Sequence, residues 1–107
     1  MYDNGRIWPR WYNPGNIPAH VLVGKVAEHF GVTRNEMCGH IRQRPLPQAR
    51  AVVSKILRER GMSYKQVGRF FGNRDHTSIR HGCQYFETYA KIDPRVRETY
   101  DKFRDRS

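Results

Sequence analysis

Residues 63–86 read SYKQVGRFFGNRDHTSIRHGCQYF, and this stretch determines the fold predicted for the chain. Its pattern predicts a short helix over residues 64–71, a tight turn over 72–75 and a longer helix from 76 to about 89. These are the dimensions of a helix-turn-helix, in which the second helix enters the major groove of DNA. The rest of the chain is expected to build the core against which this unit packs.

Local signals support these boundaries. Ser63 followed three residues later by Gln66 forms a capping box, which gives partners to two backbone amides at the start of the short helix. Gly72-Asn73 is a turn dipeptide that ends this helix. Asp75 is a favoured N-cap residue for the helix that follows.

The helix from residue 76 is predicted to have two distinct faces. At about 100° per residue, one narrow apolar sector holds Ile79, Cys83, Phe86 and Ala90. The far side holds Thr77, Arg80, His81 and Gln84. This polar face carries no acid, and its donors and acceptors can address base edges. Every amphipathic helix has a polar face, so the face alone is weak evidence for binding.

Helical periodicity and capping signals extend to the rest of the chain. Prolines, glycines and further caps such as Thr33 with Glu36 mark the ends of the other helices. The predicted class is all-α with about six helices and no strand. The predicted helices cover residues 18–30, 34–38, 48–60, 64–71, 76–89 and 94–103.

Charge favours a polyanion as partner. The 107 residues, enough for one compact domain, carry 20 Lys and Arg against 10 Asp and Glu, a formal charge of +10. Six of these cations lie between His40 and Arg60, where Glu59 is the single acid. Pro45 and Pro47 predict that the cations of residues 40–47 lie on an exposed loop. Duplex nucleic acid is the partner that this distribution favours.

Several function classes are excluded by pattern. No long apolar run or export signal is present, so we expect a cytoplasmic, nucleoid-associated protein without a membrane span. Cys38 and Cys83 lack the spacing of a zinc or redox motif, and Gly24-Lys25 lacks the earlier glycine of a P-loop. His81 and Cys83 lie about 200° apart on one helix and cannot share a metal ion. We therefore expect no cofactor, no metal, no bound nucleotide and no enzymatic activity, and a monomer because no heptad seam is found.

Residues 1–16 are interpreted as an extended N-terminal arm, followed by a DNA-binding domain over 17–107. Repeated Gly and Pro break helices in the arm, which also carries Trp8 and Trp11. These aromatic side chains either cover apolar area on the domain or stack on bases, and the first use is the commoner one.

The central motif resembles a known family. It is carried by Gly68, Phe71, Gly72, Asn73, Arg74, Asp75, His76, Thr77, Ser78, Ile79 and His81. These residues resemble the signature G-x-x-F-G-x-R-D-H-T-T-V-x-H of the C-terminal duplex-DNA-binding domain of the bacterial replication initiator DnaA, a Trp-repressor-like helix-turn-helix. Residues 26–30, the arginines of 42–44 and the pairs Ala49-Arg50 and Arg58-Glu59 extend the resemblance over about residues 17–90.

The resemblance implies that one domain recognises a short asymmetric box of duplex DNA. It implies that Arg42 enters the minor groove and that Arg50, Arg58 and His81 hold the backbone or adjacent bases. It also implies that Asp75, His76, Thr77 and Ser78 read base edges. Together with the basic residues around the motif, the predicted DNA-binding set is Arg42, Arg44, Arg50, Arg58, Lys65, Arg74, Asp75, His76, Thr77, Ser78, Arg80 and His81.

The sequence also departs from the family pattern. Ala51 replaces a usual Gln, Ser78 replaces the second Thr, and Arg80 replaces an apolar residue. The family's ATPase and helicase-loading regions are not in the sequence, so we expect a stand-alone DNA-binding domain. Its expected role is the regulation of replication initiation or transcription, in a bacterium or phage. The alternative is an RNA-binding or ribosome-associated basic protein, which the charge alone would permit.

Overall fold

The computed structural model describes residues 2–3, 6–7 and 17–104. Within these ranges the chain forms seven helices and one pair of short strands. The elements are β1 (Tyr2–Asp3), β2 (Arg6–Ile7), α1 (Ala19–His29), α2 (Arg34–Cys38), α3 (Leu46–Glu59), α4 (Tyr64–Arg69), α5 (His76–Gln84), α6 (Phe86–Ile92) and α7 (Pro94–Phe103). The predicted all-α class and the helix-turn-helix, formed by α4 and α5, are confirmed.

The strand pair differs from the prediction that the chain has no strand. β1 and β2 run antiparallel, with Tyr2 opposite Ile7 and Asp3 opposite Arg6. The sequence between them is Asn4-Gly5, the dipeptide most typical of a two-residue hairpin turn. In the prediction the glycine counts only as a helix breaker, whereas Asn-Gly also favours the pairing of strands on either side of it. The remaining arm, with Trp8 and Trp11, and residues 105–107 lie outside the described residues.

The predicted helix over 76–89 is divided into α5 and α6. The break is at Tyr85, whose φ of −93° and ψ of 3° leave the helical region. α5 contacts α3 and α4, whereas α6 contacts α3 and α7, so the two segments pack in different surroundings. This division accounts for seven helices where about six were predicted.

Helix α3 is the centre of the fold, because it contacts each of the other six described helices. It begins at Leu46, two residues earlier than predicted, with Pro47 in its first turn. Proline is tolerated there because the first amides of a helix have no intrahelical partner. The helix is buried along most of its length, including Val52, Val53 and Leu57.

Helix α7 closes the core on the side of α3. Asp93 caps it and Val96 is fully buried. The Tyr100 hydroxyl donates to Glu59 of α3, with oxygen–oxygen distances of 2.5 and 2.7 Å. Burial, followed by this hydrogen bond, raises the pKa of Tyr100 to about 12.

Each helix within residues 17–104 is too short or too polar to span a bilayer.

The helix-turn-helix depends on one close backbone approach. The amide of Arg74, in the turn, donates to the carbonyl of Gly68 in α4 at 2.9 Å. A Cβ added to Gly68 would collide with the backbone carbonyl of Arg74 and would lie 3.7 Å from the side chain of Ile79. Only glycine therefore allows the turn to fold back onto α4 and bring α5 into place.

We expect Gly68→Ala to lower the free energy of unfolding by about 1–3 kcal/mol, because the added methyl group displaces a backbone carbonyl. Gly24→Ala is the matched control, since Gly24 lies inside α1 and its added methyl group would meet no described atom within 4 Å apart from its chain neighbours and the adjacent backbone of α1. This control should raise stability by about 0.5–1 kcal/mol. Urea unfolding followed by circular dichroism measures both, and equal effects of the two substitutions would contradict the packing argument.

Candidate nucleic-acid interface

The two predicted faces of α5 are present in the structure. Ile79 is 2% exposed, and Cys83 packs against the core. The polar residues Thr77, Arg80, His81 and Gln84 are all exposed. The Asp75 side chain accepts a hydrogen bond from the Thr77 amide at 3.3 Å, so the predicted N-cap is formed. The helix is therefore held from behind and presents polar groups outward.

Beside α5 lies a cleft of about 340 Å³, here named the basic cleft. It is bounded by α5, by the start of α3 and by the loop of residues 39–45 between α2 and α3. Six of the predicted DNA-binding residues line it: Arg42, Arg50, Arg74, Thr77, Ser78 and His81. Among the described residues that line the cleft, none carries a carboxylate. The fold thus brings the loop and α5 together around a cationic space.

The electrostatics of the basic cleft favour an anion. Burial, and then the charge of Arg74, lowers the pKa of Arg50 to about 10. Burial and the charge of Arg42 lower the pKa of Arg74. In both cases the charge of a neighbouring arginine adds to the effect of burial, and cations placed so close together create a positive potential that a phosphate group would relieve.

Arg50 has a structural task that differs from the predicted one. Its side chain is only 6% exposed, and its guanidinium donates to four backbone carbonyls at 2.7 to 3.0 Å. The acceptors are the carbonyls of Glu36, Met37, Gly39 and Ile41. Arg50 thus supplies a charged donor to carbonyls at and beyond the end of α2, and only the Glu36 carbonyl among these four also accepts from a described backbone amide, that of Gly39 at 3.2 Å. We therefore leave Arg50 out of the proposed DNA contacts.

Arg74 shares this structural role. Its Nη1 donates to the Gly39 carbonyl at 2.6 Å, and the Arg50 Nη2 donates to the same carbonyl at 3.0 Å. Gly39 is the first residue of the 39–45 loop, whereas Arg74 lies in the turn before α5. One carbonyl thus links the loop, α3 and the helix-turn-helix.

Arg58 lies apart from the basic cleft. Its Nη1 donates to the Met62 carbonyl at 2.8 Å, and its guanidinium carbon lies 4.1 Å from the ring centre of Tyr64. These contacts hold the connection between α3 and α4. The structure gives Arg58 this local role, although the side chain keeps an exposed surface.

Other predicted residues are exposed but do not line the basic cleft. Lys65 is exposed on α4, and Arg80 is exposed on α5. His76 is also exposed, and its Nδ1 lies 3.3 Å from the Asp75 carboxylate. Arg44 is exposed on the 39–45 loop and lines a neighbouring cleft that does not include α5.

Sequence reasoning missed Pro47, Ser54 and Tyr89, which also line the basic cleft. Tyr89 belongs to an aromatic row, because the His81 ring stacks on Tyr85 with ring centres 4.3 Å apart, and Tyr85 lies 6.3 Å from Tyr89. The i, i+4 spacing of these three residues is a signal that could have been found in the sequence.

Metal chemistry gains no support from this geometry. Within the residues described, no group of three or more His, Cys, Asp and Glu side chains is arranged to hold an ion. Cys83 is partly buried, and this burial raises the pKa of its thiol. A neutral thiol is a poor metal ligand, since the thiolate is the binding form.

We expect Arg50→Met to lower the free energy of unfolding by about 3 kcal/mol, because buried carbonyls lose a charged donor while the apolar stem is kept. Arg42→Met is the matched control, since Arg42 is exposed on the same cleft and should change stability by less than about 0.5 kcal/mol. Chemical unfolding measures both. If Arg42→Met lowered the free energy of unfolding as much as Arg50→Met, the structural role assigned to Arg50 would be contradicted.

Comparison with known proteins agrees with the motif. Residues 20–85, more than half of the chain, match the family described as the bacterial DnaA protein helix-turn-helix. The matched segment runs from α1 through α5 and therefore contains the basic cleft's loop and both helices of the helix-turn-helix.

Curated relatives carry the name chromosomal replication initiator protein DnaA. The protein of Thermomicrobium roseum is 34% identical over 82 residues, which cover 76% of this chain and 18% of the relative. That of Lachnoclostridium phytofermentans is 29% identical over 90 residues, covering 83% of this chain and 20% of the relative. The chain thus spans about a fifth of the length of these relatives. On the family match and the motif together, the chain belongs to the bacterial DnaA helix-turn-helix family.

Proposed function

We propose that this chain binds double-stranded DNA sequence-specifically, with α5 in the major groove and the 39–45 loop in the adjacent minor groove. The observation that carries the proposal is the basic cleft, in which Arg42 and Arg74 stand beside Thr77, Ser78 and His81. A cationic space without acids between a loop and a polar helix face fits a DNA backbone that passes from one groove to the next.

The start of α5 is the part proposed to read bases. His76, Thr77 and Ser78 lie at the N-terminal end of the helix, where a recognition helix approaches base edges most closely. The positive end of the helix dipole also favours a nearby phosphate. His81, stacked on Tyr85, is proposed to contact the backbone or a neighbouring base.

Arg42 is proposed to enter the minor groove. It is exposed and lies on a loop whose base is fixed by Arg50 and Arg74. Arginine is favoured in narrow minor grooves because the potential there is strongly negative. An exposed side chain with no hydrogen bond or ion pair to the described part of the chain, on a loop that is held at its base, suits this use.

The biological role proposed is in replication initiation, in keeping with the name of the relatives. Regulation of transcription through the same sites is a second use of the same binding activity. We further propose that the domain reads DNA as a monomer, associated with the nucleoid, and that it acts by binding rather than by catalysis.

Selection from a pool of random duplexes tests the central proposal. We expect enrichment of one short asymmetric motif, and the absence of any enriched motif would contradict sequence-specific reading. A hairpin RNA added as competitor separates duplex DNA binding from the RNA-binding alternative. Preference for the RNA would overturn the proposal.

We expect Thr77→Ala to weaken binding to the selected duplex by roughly 1–3 kcal/mol and to change binding to random duplex little, because base contacts carry the sequence information. Thr88→Ala is the matched control, since Thr88 is exposed on α6 and does not line the basic cleft. Fluorescence anisotropy with both duplexes measures the effect. Equal losses of Thr77→Ala on the two DNAs would remove Thr77 from the reading residues.

Binding should also depend strongly on salt. If about five phosphates are neutralised, log affinity falls against log salt with a slope of roughly −4 to −5. Lys65→Ala should make this slope shallower by about 0.9 on every duplex, since the first helix of the motif crosses the backbone. Lys25→Ala, an exposed lysine on α1, is the control expected to leave the slope unchanged. Identical slopes for the two variants would argue against a phosphate contact at Lys65.

A further inference from the structure

A second cleft lies on the other side of the 39–45 loop and is here named the side cleft. Its volume is also about 340 Å³, and it is lined by Arg44, Pro45, Gln48, Ile92, Asp93 and Arg95. It brings together the basic loop, the first turn of α3 and the junction of α6 with α7. Residues 92–95 lie beyond the segment that matches the family.

Arg95 is held in a fixed orientation at this junction. Its Nε and Nη2 donate to the Asp93 carboxylate at 2.9 to 3.3 Å. The Asp93 side chain is 17% exposed and that of Arg95 is 49% exposed, so the pair lies at the edge of the cleft. None of the bonds described for Arg95 uses Nη1, which leaves donors for a further acceptor.

Arg44 provides a second cation. It is exposed and makes no hydrogen bond or ion pair with the described residues. Its charge reaches Asp93, because the pKa of Asp93 is lowered first by the hydrogen bond from Arg95 and to a smaller extent by Arg44. Two guanidinium groups and one carboxylate line the side cleft, whose described lining therefore carries a net positive charge.

The side cleft continues the surface of the basic cleft. Pro47 lines the basic cleft, whereas Pro45 and Gln48 line the side cleft, so the start of α3 separates the two. Along α6, Tyr89 faces the first cleft, and Ile92, one turn later, faces the second. The same loop places Arg42 in one cleft and Arg44 in the other.

We propose that the side cleft binds a phosphodiester group of the same DNA, on the far side of the minor groove that the 39–45 loop enters. This inference rests on the proposed function. Arg44 and the free donors of Arg95 would hold the phosphate oxygens, and Asp93 would orient Arg95 without contacting DNA. The footprint then extends past the helix-turn-helix by a contact from α7.

The test uses the full chain and three duplexes: one limited to the selected motif, one extended at the loop side and one extended at the opposite end. Arg95→Ala should weaken binding to the duplex extended on the loop side by roughly threefold to tenfold and make the salt slope shallower by about 0.9. Binding to the short duplex should not change. Arg97→Ala is the matched control, since Arg97 is 45% exposed on the same helix and pairs with Glu87 outside the cleft.

Arg44→Ala keeps the test independent of any effect of Arg95→Ala on α7. The Arg44→Ala variant should also lose more affinity for the duplex extended on the loop side than for the short duplex. Equal losses on both duplexes, or an unchanged affinity for the extended duplex, would overturn the inference. Failure of the proposed function would show in the wild-type chain, which would then bind the selected duplex no better than random duplex. Failure of this inference would show only in the variants.

Discussion

The guanidinium of Arg50 is the group on which the described arrangement most depends. A short helix such as α2 ends in carbonyls that have no partners within the helix, and here they are turned toward the interior. A planar cation with several donors satisfies four carbonyls from one position on α3, which a neutral side chain could not do. The loop that begins at Gly39 is thereby attached to the most buried helix of the fold.

The cations of this chain therefore have two physical roles: some hold the helices together, and others are exposed and available to a polyanion. Backbone carbonyls accept hydrogen bonds from Arg50, from Arg58 and from Nη1 of Arg74. Two other cations, Lys55 and Arg97, lie over the rings of Phe86 and Tyr100. These side chains stabilise contacts between helices. Not all of the 20 Lys and Arg side chains are therefore free to meet a polyanion.

Most of the fold could be predicted because its signals are local. The capping boxes at Thr33 and Ser63 and the cap at Asp75 are all formed as the sequence indicates. What could not be predicted involves distant parts of the chain. The carbonyls that Arg50 binds lie 9 to 14 residues away, and the meeting of Arg44 with Arg95 depends on how α7 packs. Spacing and charge do not encode such contacts.

The carbonyl of Gly39 accepts from Arg50 and from Arg74. Through this shared acceptor, the loop that carries Arg42 is joined to the turn that precedes the helix carrying Thr77. In the proposed complex, this link fixes the spacing of the two proposed contacts, so a duplex that is overwound, underwound or bulged between them would fit less well than regular duplex.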